Sequence, residues 1–530
     1  MRPVEDKERA HVVWLKRDLR LSDHQPLSEA AKRGKVVGLY LYEPELLTSA
    51  EFGGRHLRFI NESLHELERG LALLGGRLIT RHGEAVAELE RLGQEIRIEG
   101  LWSHAETGNW ITYQRDLRVI DWCADRGIEW YEFRQDGVVR RLPGRNGWSR
   151  RWEATMSGAI LDPPRSVDAP KGLQSMGILE AGELGMDPDP MTEWQKGGER
   201  EARKVLDSFL QVRGVNYRRD MSSPVEGWDG CSRISPYLSW GCISMKTVNR
   251  AAMHRHADLL TNRTAGIDID RRWLGSLKSF QGRLRWHCHF MQKLEDEPEM
   301  EFQNLCRAYD GMREDDFNEE FFGAWKAGQT GYPLVDACMR AVTATGWLNF
   351  RMRAMVVSFA SYHLWLHWRR TGEHLGRMFL DFEAGIHYSQ FQMQSGTTGI
   401  NSVRIYSPAK QAQDQDPEGV FIRRWVPELE HVPDSFLSEP HKLSLDQQGE
   451  YGCLLGRDYP KPLVEHGPAY REAKRRVAEY RRRPETREAS REVFIKHGSR
   501  KGSTRKQLKE RRLDRDLAQA ASAEQQLALL

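Results

Sequence analysis

Residues 11–17 read HVVWLKR, a short apolar run with two β-branched valines, and a similar run returns as VVGLYLY at residues 36–42. Apolar runs of this length bounded by polar residues predict buried strands. Further strands are predicted at residues 77–80, 101–104 and 128–133. Between them apolar positions recur at helical spacing, which predicts helices over 26–33, 57–74, 85–92 and 111–126. Strands and helices alternating at this interval imply right-handed crossovers and a doubly wound parallel sheet. The ligand-binding loops of such a sheet lie at the carboxyl ends of its strands. No GxGxxG follows the first strand, so a dinucleotide-binding reading of this half is weak.

The pattern changes at residue 141. From there to 195, Pro143, Pro163, Pro164, Pro170, Pro188 and Pro190 stand among glycines and polar residues without sustained periodicity, as in a long connection. Beyond Thr192 the spacing is helical almost to the end, with a possible cap at Ser244 and an aromatic-rich segment at 359–368. At 530 residues the chain is too long for one core. It divides into an α/β domain at 10–140, a linker at 141–195, an all-helical domain at 196–464 and a basic helical tail at 465–530. No short internal repeat is present.

Composition adds limits. With 39% hydrophobic and 9% aromatic residues the chain is not disordered as a whole. The net charge is only +3, yet residues 465–513 hold 17 Lys or Arg against 7 Asp or Glu. Such a tail adds phosphate affinity, or is a solvated helix laced with i,i+4 pairs. The seven cysteines are scattered, with no CxxC and no metal-ligand spacing. They imply a reducing, cytoplasmic setting and no zinc or iron–sulfur centre. Trp286-His287-Cys288-His289 is a lone cluster inside a helical pattern. The amino terminus lacks the apolar core of a secretory signal, and no run approaches the roughly 18 apolar residues of a membrane span.

Residues 346–425 mix large aromatics, arginines, the acidic pair Asp381 and Glu383, and His387. Buried charges need partners or a ligand to offset desolvation, so this stretch predicts a site holding something both polar and aromatic.

Five collinear motifs then point one way. Trp14-Leu15-Lys16-Arg17-Asp18-Leu19-Arg20 with Asp23 resembles WFRxDLRxxD, with Lys16 in place of an arginine. Cys231-Ser232-Arg233-Ile234-Ser235-Pro236-Tyr237-Leu238 resembles TSRLSPYL, Thr330 to Ala337 resembles TGYPxVDA, Gly346-Trp347 the GW that follows it, and Phe421 to Leu429 a closing FIRRWVPEL. On these the chain is similar to the photolyase/cryptochrome family of flavoproteins from about residue 10 to 430. The resemblance implies a U-shaped FAD in the helical domain, light absorption, and electron transfer from reduced flavin to a pyrimidine photoproduct in damaged DNA, carried out by a monomer.

It also implies site residues. Ser232, Arg233 and Ser235 would meet the diphosphate with hydroxyl, guanidinium and backbone donors, helped by Tyr217, Cys231 and Ile234; alone, that segment is equally a helix cap. Phe280, Arg283, Trp286, Phe350, Arg353, Asp381, Glu383 and His387 would line the flavin, with Arg353 pairing Asp381. His387 stands where relatives have Asn, Asp or Cys beside flavin N5, and would donate to N5 or, protonated, stabilise an anionic flavin; an ordinary core histidine is the alternative. Of the three tryptophans that carry electrons in the family, Trp368 matches the middle one, the innermost matches Phe391 and the outermost falls near Asp315. Tyr388, Trp365 or Trp325 are candidates for a different route. In the lesion pocket Trp286 matches one stacking wall, the other matches Met393, and a dimer-binding glutamate matches Arg283. Two histidines of (6-4) enzymes would fall near Phe350 and Ala354. Arg351, Arg404 and Lys410 are candidates for phosphate contact, and Glu106 for contact with a second, antenna chromophore. Repair of cyclobutane dimers is the favoured activity; (6-4) repair and a cryptochrome-type photoreceptor are the alternatives.

Overall fold

The structure is a computed structural model that describes residues 7–498. Five parallel strands, β1 (Arg9–Leu15), β2 (Val36–Tyr42), β3 (Leu78–His82), β4 (Arg97–His104) and β5 (Trp130–Phe133), form one sheet in the order β3-β2-β1-β4-β5. All seven positions of β2 are buried, as a strand covered on both faces requires. Helices α1 (Gln25–Ala31), α2 (Gly54–Leu73), α3 (Ala85–Glu95) and α4 (Trp110–Arg126) make the crossovers. α4 begins where the Asn109 side chain accepts the Thr112 amide and ends at Gly127, whose φ of +63° suits glycine. The chain leaves β1 toward one side of the sheet and later returns to the other at β4. The carboxyl ends of these two strands therefore flank the crevice where doubly wound sheets bind ligands.

The proline-rich connection is not entirely irregular. It contains α5 (Trp148–Ser157), whose buried Trp148, Trp152 and Met156 recur every four residues. The rest straps the α/β domain through backbone bonds such as Val167 N–H to Leu74 O (2.7 Å) and Met176 N–H to Thr80 O (3.0 Å).

Beyond it the helices that bear on the site are α6 (Ser235–Ser239), α7 (Arg272–Asp296), α8 (Phe350–Ser358), α9 (Trp368–Met378) and α10 (Ala384–Ser395). The tail begins with α11 (His466–Arg482) and α12 (Pro484–His497). These two pack on the helical body: Ala473 and Val477 are buried in a cluster with Tyr309 and Tyr362, and His497 meets Glu297 at 2.6 Å. The expected tail beyond residue 498 lies outside the described residues. Among the described residues no helix is long and apolar enough to cross a membrane.

The two halves lock together next to Asp381. Buried Arg55 of α2 pairs with Asp189 at 3.0 Å and donates to the carbonyls of Val342 (3.0 Å), Thr343 (3.0 Å) and Met378 (2.6 Å). Arg17 donates to Phe382 O at 3.0 Å, and a His56 ring nitrogen meets Phe379 O at 2.9 Å. The α/β domain thus fixes the turn that presents Asp381 to the helical half.

Candidate functional site

Three helices of the second half each turn one stripe toward a shared cavity of about 1340 Å³. α7 contributes Phe280, Arg283, Leu284 and His287, α8 contributes Phe350, Arg353, Ala354 and Val357, and α10 contributes His387, Gln390, Phe391 and Gln394. In each the spacing is i, i+3, i+4, i+7, the stripe that a helix of 3.6 residues per turn aligns on one face. Tyr217 and the segment Cys231, Ser232, Arg233, Ile234 and Ser235, leading into α6, close the fourth side.

The charges inside are individually held. Arg353 grips Asp381 with two bonds of 3.0 and 2.9 Å. Burial pushes the Asp381 carboxyl up, but the Arg353 guanidinium outweighs it and holds the group below its usual range. Arg233 adopts φ +56°, and its guanidinium carbon lies 3.9 and 4.3 Å from the ring centres of Trp228 and Trp347, which meet each other edge to face. Its Nε donates to Gln195 at 3.1 Å, and burial lowers its pKa to about 10. Burial pushes the Cys231 thiol up to about 12, so it is unreactive at neutral pH.

His387 is buried, and its Nε2 lies 2.8 Å from the carbonyl of Gly372. A carbonyl can only accept, so Nε2 carries the proton and Nδ1 is left as an acceptor. Burial lowers its pKa to about 4, which keeps the ring neutral at pH 7. Burial thus disfavours a charged imidazolium at this position, and the ring's proton-bearing nitrogen is already engaged with Gly372.

Two buried polar atoms on this wall lack a partner in the protein, Asn349 Oδ1 and Gln390 Oε1. Native interiors rarely leave such groups unpaired, and here they are free to bond a ligand. The cavity combines mostly apolar walls with a few placed polar groups, as ligand sites do. Its hydroxyls and guanidinium gather near Ser232, its aromatic walls elsewhere. A dinucleotide with flat rings and a charged centre fits this donor set.

At the mouth, Trp286 and Phe350 are 44% and 46% exposed, and the Arg283 guanidinium lies 4.8 Å from the Phe350 ring centre. Two residues assigned to this cavity from the sequence do not reach it. Glu383 immediately precedes α10 without capping it, meets His287 Nε2 at 2.6 Å, and lines a different cavity. That pairing, against the cost of burial, raises the His287 pKa well above its ordinary value. Met393 lies off the stripe of α10 that faces the cavity, which Gln390 and Gln394 line. Trp368 and Tyr388 are buried behind that wall, with ring centres 5.9 Å apart, while Phe391 stands on it. Among the described residues Trp325 and Trp365 make no ring contact with Trp368; Trp325 meets His374, and Trp365 lies under Arg313 and Arg476. Arg351 is half-buried, whereas Arg404 and Lys410 are exposed, the latter 3.3 Å from Asp414.

The second cavity, about 750 Å³, opens at the carboxyl ends of β1 and β4 and is lined by Lys16, Arg17, Asp18, His104 and Glu106 on one side and by Ser239, His287 and Glu383 on the other. Glu106 is held by Arg115 at 2.6 Å and Arg17 at 3.4 Å. Asp18 accepts from His104 at 2.8 Å and lies 3.0 Å from His24 in a fully buried cluster.

Sequence reasoning passed over Asn349, Gln390, Gln394 and His287. Their helical offsets from Arg353, His387 and Arg283 are the signal that would have found them.

Residues 11–142 match the family described as "DNA photolyase", and residues 280–479 the family described as "FAD binding domain of DNA photolyase". A deoxyribodipyrimidine photo-lyase of Streptomyces griseus is 31% identical over 481 residues, covering 86% of this chain and 96% of that protein. A cryptochrome DASH of Gloeobacter violaceus is 29% identical over 486 residues, covering 86% and 93%. The crystal structure of a class III photolyase from Agrobacterium tumefaciens superposes with a TM-score of 0.77 at 26% identity, covering 90% of this chain and 98% of that one.

Proposed function

Because the chain belongs to the photolyase/cryptochrome family and carries its FAD-binding domain, we propose that it is a light-driven deoxyribodipyrimidine photolyase, acting as a cytoplasmic monomer and favouring cyclobutane dimers. Bound in the large cavity, reduced FAD would supply the photoexcited electron for splitting the dimer. The protein's share is positioning. Ser232, Ser235 and Arg233 hold the phosphates, Asp381 is kept ionised by Arg353, and His387 offers Nδ1 as an acceptor at the position that faces flavin N5 in relatives.

The observation that carries the repair reading is the mouth. Two large aromatic surfaces, Trp286 and Phe350, stand open to solvent at the entrance of the cofactor cavity with Arg283 between cavity and exterior. A lesion that leaves the duplex stack loses a few kcal/mol, and stacking returns about 1–3 kcal/mol per base. Exposed Arg404 and Lys410 supply charge for the flanking phosphates. The polar cavity beside Glu106 is the candidate place for an antenna chromophore.

One observation favours a photoreceptor instead. Arg283 stands where a dimer-binding glutamate is expected, and Met393 does not build the second wall. Illumination of thymine-dimer duplexes, with a parallel (6-4) duplex, separates the readings. Light-dependent loss of the cyclobutane dimer supports repair; no loss of either lesion by fully reduced protein overturns it in favour of the photoreceptor.

A further inference from the structure

Tyr388 follows His387 on α10 and turns away from the cavity into the contact with the α/β domain. Its buried ring lies 5.4 Å from that of His387 and 5.9 Å from that of Trp368. Its hydroxyl donates to Glu51, a buried carboxylate just ahead of α2. Glu51 reaches it across Gly376 of α9, where a Cβ would stand only 3.0 Å from Glu51 Cγ. Any larger residue would push the carboxylate away.

Trp368 donates its indole N–H to Asn304 at 2.7 Å. Asn304 and His367, which flank this indole, also line a surface groove of about 750 Å³ together with Arg307, Arg369 and Arg370. Ring contacts therefore run without a gap from the surface groove through Trp368 and Tyr388 to His387 on the cavity wall. Phe391, on the same wall, is too hard to oxidise to carry a charge.

We propose that Tyr388 and Glu51 form a proton-coupled electron relay that does the work of the missing inner tryptophan. When light excites the oxidised flavin, one electron leaves Tyr388 for it while the phenolic proton passes to the Glu51 carboxylate. The products on the protein are a neutral tyrosyl radical and a neutral carboxylic acid. Trp368 then gives one electron to Tyr388, Glu51 returns the proton, and the indole radical cation so formed is filled by one electron from an external thiolate, which leaves as a thiyl radical. A tryptophan can lose an electron and keep its proton, whereas an oxidised phenol must shed its proton at once, and Glu51 is the group hydrogen-bonded to receive it. Burial, and then the adjacent carboxylate, hold the Tyr388 phenol well above its ordinary value, so it is fully protonated before the flash.

This inference rests on the flavin reading of the cavity and not on which lesion is repaired. The full-length, FAD-loaded, oxidised protein is flashed in the presence of a thiol, in H₂O and in D₂O, with time-resolved absorption following the protein radicals. The relay is upheld by a tyrosyl radical preceding the tryptophan radical, by slower formation in D₂O, and by a photoreduction rate about 100-fold or more lower in Glu51→Gln and Tyr388→Phe, the scale that a positioned base contributes. It is overturned by a tryptophan radical alone with equal rates in both solvents, an outcome read on the wild-type protein whether or not the variants fold. Dimer repair by chemically reduced wild-type protein is measured alongside. Repair without a tyrosyl radical overturns the relay only, and a tyrosyl radical without repair upholds the relay while overturning the photolyase reading.

Discussion

Replacing Arg353 with alanine leaves the Asp381 carboxylate buried with its two strongest bonds, 3.0 and 2.9 Å, removed. Breaking a fully buried pair costs about 3–5 kcal/mol; the Arg353 side chain keeps 26% exposure, so water replaces part of the loss and about 2–4 kcal/mol is expected. The assay is urea unfolding of the FAD-free protein across pH. In the wild type the Asp381 pKa lies below its ordinary 3.8 because Arg353 outweighs burial. Its stabilising contribution is then present above pH 3.8 and is lost as pH falls through the folded value. In Arg353→Ala burial is opposed only by the hydrogen bonds from Ser235 and the backbone, so the folded pKa rises above 3.8, the sign reverses, and the variant's deficit grows from pH 4 to 7. Adding Asp381→Asn removes the charge and is expected to recover most of the loss. A deficit independent of pH, or a double variant no more stable than the single one, would refute this reasoning.

Trp286→Ala is expected to weaken binding of a dimer-containing duplex by about 1–3 kcal/mol, roughly 5- to 150-fold, while affinity for undamaged duplex stays unchanged in a competition assay. Arg404→Ala should weaken all duplexes alike and reduce the slope of log K against log salt by about 0.9. Nitrogen NMR of the FAD-free protein should find His387 neutral and protonated on Nε2 at pH 6. Its pKa falls from 6.5 unfolded to about 4 folded, so it withdraws stability as pH drops through that window, and a charged ring at pH 6 would contradict this. His387→Asn should alter the spectrum of the one-electron-reduced flavin; identical spectra would mean that His387 does not touch N5.

The alternation of apolar runs and helical spacing placed every strand of the sheet, because a strand buried on both faces leaves little freedom in composition. α5 was hidden for a physical reason. Trp148, Trp152 and Met156 keep helical spacing, but prolines at 143, 163 and 164 break the window in which a period is read. In the site, motif order located the cavity's residues from Tyr217 to His387. What failed was direction. Asp381 and Glu383 are two residues apart and point into different cavities, and Met393 lies only two residues past Phe391 yet misses the wall. Side-chain heading at a helix cap depends on the turn that docking against the α/β domain imposes, and a string of letters does not carry that. Glu51 is the extreme case: its partner Tyr388 is 337 positions away.

The most direct test of the account is a structure of the protein with FAD bound. The cofactor should be found in the cavity between α7, α8 and α10, with its diphosphate against Ser232 and Ser235 and its isoalloxazine edge within hydrogen-bonding distance of His387 Nδ1. FAD held instead in the polar cavity beside Glu106, with His387 still facing only protein, would contradict it.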